Sequence, residues 1–434
     1  GKTAAFLLPM LERLAAHSTK VGVRAVVLSP TRELALQTLK FARELGKFTD
    51  LRLCLIVGGD SMEEQFSALA HNPDALVATP GRLLHHLEEV GMTLGAVQYV
   101  VFDECDRLFE MGFAVELKAI LKRISDNRQT CLFSATLPAA LAEFARAGLR
   151  DPELVRLDVD STLSDTLSLA FITVRQQERD AALLYLVQNK IKEEDQTIIF
   201  VATKHHVDYV HALLASVGVE SVMLYGAMDP AARKISIGLF RARRVRFLVV
   251  TDLAARGVDI PLLQNVINFH FPSKPKLFVH RVGRAARAGR PGTAYALVTP
   301  SELPYMVDLH LFLGRPLLTA SSPAPPPSAE GTPPAHYGRI PQSVMDDYVE
   351  RTTALLRDQV ELSNLRDVTV RAEKLYVRTC EKPSGQSVRR AKELDSDEIH
   401  PWLQDDADGQ DTAAARRIAA VLHSFRPGQS ILEL

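Results

Sequence analysis

The sequence predicts an α/β protein made of two tandem parallel-sheet domains and a C-terminal extension. Three observations carry this. Short β-rich apolar runs alternate with amphipathic helical stretches from residue 1 to about 155, the signature of βαβ units. A second series of the same kind runs from about 166 to 318. Composition then changes at Ser321, where apolar periodicity stops and Pro, Ser and Ala dominate.

The bulk numbers fit. At roughly 100–200 residues per domain, 434 residues suggest two domains and something more. Each is long enough to bury a core without disulfides or structural metals. A formal net charge of -1 argues against bulk attraction to nucleic acid, so any such binding must rest on local basic clusters. The cysteines, Cys54, Cys105, Cys131 and Cys380, show no CxxC spacing. That points to a reduced, intracellular protein with no zinc site and no disulfide framework. No apolar run reaches about 18 residues, so neither a transmembrane span nor a signal peptide is expected.

In the first domain, predicted over 1–155, the apolar runs are 25–29, 51–57, 75–79, 99–103 and 130–134. Each is continuous rather than alternating, as a strand covered on both faces requires. Between them, 33–48 and 116–124 place apolar residues at helical spacing, which implies right-handed crossovers and a parallel sheet. The more polar stretch 151–165 reads as a connector, with the hinge at 156–165. The second domain, 166–318, has its runs at 169–174, 197–201, 222–225, 247–251, 266–269 and 294–298. The two halves share no obvious sequence repeat.

Residues 321–335 lack apolar periodicity, so 319–340 is expected to be a disordered, Pro-rich linker. The extension, 341–434, is expected to be partly helical and partly disordered. One amphipathic helix over 341–362 would start at a proline. The acidic stretch 395–411 is expected to be flexible, and 413–423 is a short helical candidate.

Two motifs carry chemistry on their own terms. Gly1-Lys2-Thr3 matches the last three residues of the phosphate-binding pattern GxxxxGK[ST]. There the glycines let backbone N–H groups wrap phosphates, Lys reaches the β/γ-phosphates, and the hydroxyl residue ligates Mg2+. The tripeptide is weak alone and gains weight from the helical pattern behind it. The second motif, residues 100–106 (VVFDECD), is an apolar strand ending in three carboxylates. Ligands of open α/β sheets bind beyond the carboxyl ends of strands, and Mg2+ takes one or two carboxylates with phosphates and water. Asp103 is therefore the candidate Mg2+ anchor and Glu104 the residue that positions or deprotonates the attacking water. Acids that merely complement a helix dipole are the plainer alternative.

Further motifs follow in order: Pro30-Thr31-Arg32-Glu33-Leu34-Ala35, Gly58-Gly59, Thr79-Pro80-Gly81-Arg82, Asp103-Glu104-Cys105-Asp106 and Ser134-Ala135-Thr136. The second half adds IIFVATK at 198–204, TDLAARGVDIP at 251–261 and HRVGRAARAGR at 280–290. This ordered set resembles the DEAD-box ATP-dependent RNA helicases, P-loop NTPases of superfamily 2 built from two RecA-like domains. It covers about three-quarters of the chain.

The resemblance implies a role for each matched residue. Gly1, Lys2 and Thr3 would hold ATP and Mg2+ together with Asp103 and Glu104. Gly257 and Asp259 would meet the nucleotide from the second domain, Asp259 at the ribose. Arg284 and Arg287 would be arginine fingers, worth roughly 10³–10⁵ in rate. Ser134 and Thr136, hydrogen-bonding toward Asp106 or His280, would couple hydrolysis to domain closure. Thr31, Arg32, Gly59, Thr79, Arg82, Thr203 and Thr251 sit where the family grips the RNA backbone. Hydroxyls, glycine backbones and a few arginines suit phosphates and 2′-hydroxyls rather than base edges. Arg281, Arg284, Arg287 and Arg290 recur every third residue, so neighbours can share a helical face. Spacing alone would equally allow a solvated basic face.

The chain departs from the family pattern in places. Cys105 replaces the usual alanine and is small and apolar enough to be buried. A redox-sensitive thiol there is the alternative, disfavoured by the acids around it. Ala285 and Ala286 replace Thr-Gly, which makes the backbone less permissive. Pro230 replaces a glutamine in the segment Tyr225 to Arg233. These departures resemble a nucleolar branch of the family implicated in maturing the large ribosomal subunit, as do KHH at 204–206, DLHLFLGRPL at 308–317 and the tail sequences LRDVTVRAEKLYVR and FRPGQSILEL. Because residue 1 falls inside the phosphate-binding pattern, an N-terminally truncated chain with reduced ATP affinity is expected.

The function so implied is ATP- and Mg2+-dependent remodelling or local unwinding of RNA, with pre-ribosomal RNA as substrate. ATP and RNA would bind in the cleft between the domains. A monomer in the nucleus and nucleolus is expected, with pre-ribosomal proteins as partners and no membrane. The rival class is an ATP-independent RNA-binding scaffold or annealer with impaired ATPase, and a DNA helicase is a third.

Overall fold

A computed structural model describes residues 2–89, 91–134, 143–144, 149, 152–155, 163–164, 166–255, 258, 260, 263–286, 291–322, 335–394 and 397–404. The chain divides into two compact units near residue 157.

The first unit is built on a parallel sheet of β1 (Ala25–Leu28), β2 (Leu53–Ile56), β3 (Ala75–Ala78), β4 (Tyr99–Phe102) and β5 (Gln129–Leu132), in the order β2-β3-β1-β4-β5. Strands β1, β3 and β4 are buried at every position, which is why their sequences run apolar without alternation. Helices Lys2–Leu14 and Arg32–Leu45 cover one face through Phe6, Met10, Leu39 and Val27. Helices Pro80–Glu89, Cys105–Glu110 and Ala114–Leu121 cover the other through Leu83, Leu108, Leu117 and Phe102. The chain moves from β1 outward to β2 and β3, then returns to β4 on the other side of β1. That reversal opens a crevice at the carboxyl ends of β1 and β4.

In the second unit all pairings are again parallel, in the order β12-β13-β6-β11-β10-β7-β9-β8. The strands are β6 (Leu167–Thr173), β7 (Thr197–Val201), β8 (Ser221–Leu224), β9 (Phe247–Thr251), β10 (Asn265–Asn268), β11 (Gly292–Val298), β12 (Leu317–Leu318) and β13 (Ala335–Arg339). Phe171 of β6 stacks with Phe278 at a centroid distance of 5.7 Å, and Leu183, Val210 and Leu213 build the opposite face.

Three expectations need correction. Residues 335–339, assigned above to a disordered linker, form β13, paired in register with β6 from His336↔Ala170 to Arg339↔Thr173. The single helix expected over 341–362 is two helices, Gln342–Asp358 and Val360–Thr379, broken at Gln359. Pro341 does stand at the entry, as its fixed φ favours. Both helices pack on the second unit's core through Met345 and Leu362. Part of the acidic segment is also ordered: the Arg339 N–H donates to the Glu398 carbonyl at 2.8 Å, and the His400 N–H returns to the Arg339 carbonyl at 2.9 Å. Most of the predicted hinge, residues 323–334 and the helical candidate 413–423 lie outside the described residues.

Candidate functional site

Because the first sheet is parallel, the carboxyl ends of its strands share one edge, and the candidate residues divide along it. After β1 comes Thr31, whose hydroxyl caps the helix Arg32–Leu45 by accepting the Leu34 N–H at 3.3 Å. After β2 come Gly58 and Gly59, and after β3 come Thr79 and Arg82. Arg32 ties these loops together. Its Nη1 donates to the Gly58 carbonyl at 2.8 Å, and its Nη2 pairs with Asp60 at 2.5 Å. Arg82 Nη2 donates to the Asp60 carbonyl at 3.3 Å. Gly59 has φ +89, a conformation that strains any residue with a Cβ, and a Cβ there would also crowd Arg32 Nη1 at 3.1 Å. Thr31, Arg32, Gly59, Thr79 and Arg82, spread over 52 positions from 31 to 82, thus meet at the ends of three adjacent strands.

The other half of the edge, at β4 and β5, carries the acids. Asp103 is only 5% exposed and accepts the Glu104 N–H at 3.0 Å. Burial, then the Glu104 charge, push its pKa up to about 7; Lys2 pulls it down. Lys2 opens the helix Lys2–Leu14 and donates to the Ser134 carbonyl at 3.5 Å, with Thr3 next to it. Glu104 has a left-handed backbone, φ 46 and ψ 53. For a residue with a Cβ that conformation costs about 1–2 kcal/mol, and such strain gathers at functional sites. Ser134 Oγ accepts the Asp106 N–H at 3.2 Å, joining the ends of β4 and β5. Cys105 is fully buried, as expected of a small apolar replacement, and burial pushes its thiol up, which favours the inert reading of that cysteine over the redox one.

This donor set fits Mg2+ and a nucleotide triphosphate. A carboxylate whose proton is held by burial first and by the Glu104 charge second lacks positive charge beside it, and a divalent cation supplies it. A lysine and a hydroxyl at a helix start suit phosphate oxygens.

In the second unit, Thr203 and Thr251 follow and end the neighbouring strands β7 and β9, whose register pairs Val201 with Thr251. Half-buried His280 lies on the helix Pro275–Val282, and Arg284 in the turn after it. The helical-face reading of the arginine series needs correction. Arg281 is 1% exposed and points inward, while the helix has ended before Arg284. Ala286 takes φ 52, a left-handed position where the family pattern has glycine. Pro230 occupies the first turn of the helix Pro230–Arg241, which Asp229 caps, and Arg233 Nη2 donates to the Ala254 carbonyl at 3.0 Å. Gly1, Thr136, Gly257, Asp259 and Arg287 lie outside the described residues.

Sequence reasoning missed several polar residues in this unit. Asp252 receives two bonds from Arg281. Arg179 donates to Glu302 at 2.7 Å, and Glu373 of the extension faces Arg179. Only the motif context of Asp252 hinted at any of them.

Comparison with known proteins bears on these residues together. The chain matches the family described as DEAD/DEAH box helicase over residues 1–144 and the helicase conserved C-terminal domain over 178–289. It is 53% identical over 445 residues to a putative DEAD-box ATP-dependent RNA helicase 29 of Arabidopsis thaliana, covering 100% of this chain and 52% of that protein. To the ATP-dependent RNA helicase DDX54 of Mus musculus it is 54% identical over 409 residues, with coverages of 92% and 46%. The chain therefore spans about half the length of the curated relatives it matches. Among solved structures, S. cerevisiae Dbp5 bound to RNA and ADP BeF3 is similar, with a TM-score of 0.65, 27% identity, and 82% and 86% of the two chains covered.

Proposed function

The chain belongs to the DEAD-box family of helicases, and from that premise we propose that it is an ATP-dependent RNA helicase with RNA-stimulated ATPase activity. The observation that carries the proposal is the division of the first sheet's carboxyl edge. The residues assigned to the RNA backbone in this reading follow β1, β2 and β3, and the acids follow β4. An edge of this kind brings a nucleotide and a nucleic-acid strand onto one rigid element, so occupancy of either half can bias the other.

In this reading Gly1, Lys2 and Thr3 hold the phosphates, and Thr3 and Asp103 hold Mg2+. The metal, when bound, neutralises charge on the phosphates and orients the terminal one. Glu104 positions or deprotonates the attacking water. Asp106, Ser134, Thr136 and His280 couple this chemistry to conformational change. Gly257 and Asp259 serve the nucleotide, Asp259 at the ribose, and Arg284 and Arg287 serve the developing charge. RNA is held by Thr31, Arg32, Gly59, Thr79, Arg82, Thr203 and Thr251 through its backbone. Binding is then largely independent of sequence and weakens with salt. The resemblance of the tail sequences supports a finer reading: pre-ribosomal RNA as substrate during large-subunit assembly in the nucleolus, among pre-ribosomal proteins.

Steady-state ATP hydrolysis with and without single-stranded RNA tests the proposal. Stimulation by RNA, and not by DNA of the same sequence, is expected. A rate that ignores RNA while RNA still binds would sink it in favour of a scaffold or annealer.

A further inference from the structure

In the second unit, the carboxyl ends of β7 and β10 gather a polar group that includes none of the nucleotide residues. His206 Nδ1 lies 2.8 Å from Thr203 Oγ1. His270 Nδ1 accepts the backbone N–H of Ala202 at 3.3 Å. The two buried rings meet edge to face, their centroids 4.3 Å apart. Adjacent residues are thus each held by a histidine, Ala202 at its amide and Thr203 at its hydroxyl.

The third member comes from the extension. Glu373, on the helix Val360–Thr379, sets Oε1 3.9 Å from His270 Nε2. The carboxylate is itself clamped. Gln176 Nε2 donates to both of its oxygens at 2.9 Å, and Arg179 Nη1 stands 3.5 Å away. Arg179 is anchored in turn by Glu302 at 2.7 Å and Thr299 at 3.1 Å.

Two histidines and a carboxylate, with ligand atoms all within 4.8 Å of one another, are a donor set that transition metals use. Two contacts argue against a metal. Since His270 Nδ1 accepts a hydrogen bond, the proton of the neutral ring sits on Nε2, the nitrogen a metal would need. The Arg179 guanidinium beside the carboxylate would repel a dication. What remains, 3.9 Å from the Glu373 carboxylate, is the Nε2–H of a neutral ring.

We propose that Glu373 is a positioning residue: its charge, 3.9 Å from Nε2, reinforces the Nε2–H tautomer that the Ala202 N–H selects in His270, so that the two histidines hold Ala202 and Thr203 in the geometry that receives an RNA backbone. The inference rests on the reading of Thr203 as an RNA contact. Both rings stay neutral at physiological pH, because burial first and the Arg179 charge second hold His206 at about 3 and His270 well below the usual range. Tautomer, not charge, is therefore what Glu373 can bias. The helical extension then serves the RNA-binding edge of its own unit from the opposite end of the sequence.

The test uses the full chain, labelled with 15N at histidine. Long-range proton–nitrogen spectra report each ring's tautomer, and the ATPase is titrated with single-stranded RNA. Wild type should show His270 protonated at Nε2. Glu373→Ala should mix the tautomers and raise the RNA concentration for half-maximal rate about 3- to 10-fold, with the maximal rate within about twofold, the pattern of lost ground-state binding. Glu373→Gln should retain most of the wild-type behaviour, because its amide oxygen still accepts. Gln176→Ala, at an exposed residue that leaves the core intact, should move the same way as Glu373→Ala and stands in if that variant fails to fold. An unchanged His270 tautomer in Glu373→Ala or Gln176→Ala overturns the inference, as does stoichiometric zinc whose chelation reproduces the loss. If the tautomer shifts while Thr203→Val leaves RNA dependence untouched, the RNA role of Thr203 falls and the positioning of the turn stands.

Discussion

Arg281 grips Asp252 with two parallel bonds, Nε to Oδ1 and Nη2 to Oδ2, both 2.7 Å long. Its remaining nitrogen, Nη1, reaches the His270 carbonyl at 2.7 Å and Asn268 Oδ1 at 3.0 Å. One side chain therefore joins the end of β9, the end of β10 and the helix that carries His280.

This geometry makes Arg281 a structural cation. Arg281→Ala leaves Asp252 without its partner and should cost about 3–5 kcal/mol, the usual penalty for breaking a buried pair. Arg281→Lys should recover little of it, because an ammonium cannot form the paired bonds. Urea denaturation of the second unit's transition checks both. A loss confined to ATPase rate, with stability unchanged, would show that Arg281 acts on the nucleotide instead.

Glu104→Gln keeps the size and shape of a side chain whose backbone is already turned into the left-handed region. RNA binding should be retained. Turnover should fall by about 10²-fold or more, the range a positioned general base supplies. RNA affinity by fluorescence anisotropy and hydrolysis by phosphate release separate the two. Wild-type turnover would remove Glu104 from its role.

Gly338 lies in β13 where residues 398–400 cross it. A Cβ there would stand 2.6 Å from the His400 nitrogen and 2.8 Å from the Glu398 oxygen. Gly338→Ala should therefore lift the segment containing His400 and Leu403 off the sheet, at a cost of about 1–3 kcal/mol. Limited proteolysis should find a new cut near residues 397–404 while the rest of the unit stays resistant.

Buried histidines give the second unit an acid limb. Burial pulls His310 and His400 from 6.5 down to about 4, and His206 to about 3. Between pH 6.5 and those values the unfolded chain takes up protons that the native state refuses. Their contribution is complete above pH 6.5 and is lost as pH falls, by about 1.4 kcal/mol per pH unit for each such histidine. His310 packs edge to face on Phe171 at 4.9 Å. His310→Leu should flatten the slope by one proton, measured as urea midpoints at pH 7, 6 and 5. An unchanged slope would mean that His310 titrates alike in both states.

Much of this molecule was legible residue by residue. Strands β1, β3, β4, β7 and β9 are continuous apolar runs because helices cover both faces of each sheet, and such burial is written in composition. The carboxylates of Asp103, Glu104 and Asp106 could be placed at a strand's carboxyl end from their order alone, since a parallel sheet has only one such edge. The segment Ala335–Arg339 could not be read this way. Its sequence, AHYGR, has no period, and it becomes a strand because β6 offers an unpaired backbone edge. Nor could spacing separate Arg281 from Arg284; what decides is that Asp252 waits inside, 29 residues earlier. Glu373 meets Gln176 across 197 residues. Periodicity records how a residue meets the core of its own element. Edge pairing and buried charge depend on what the fold brings from elsewhere, so only the tertiary structure decides them.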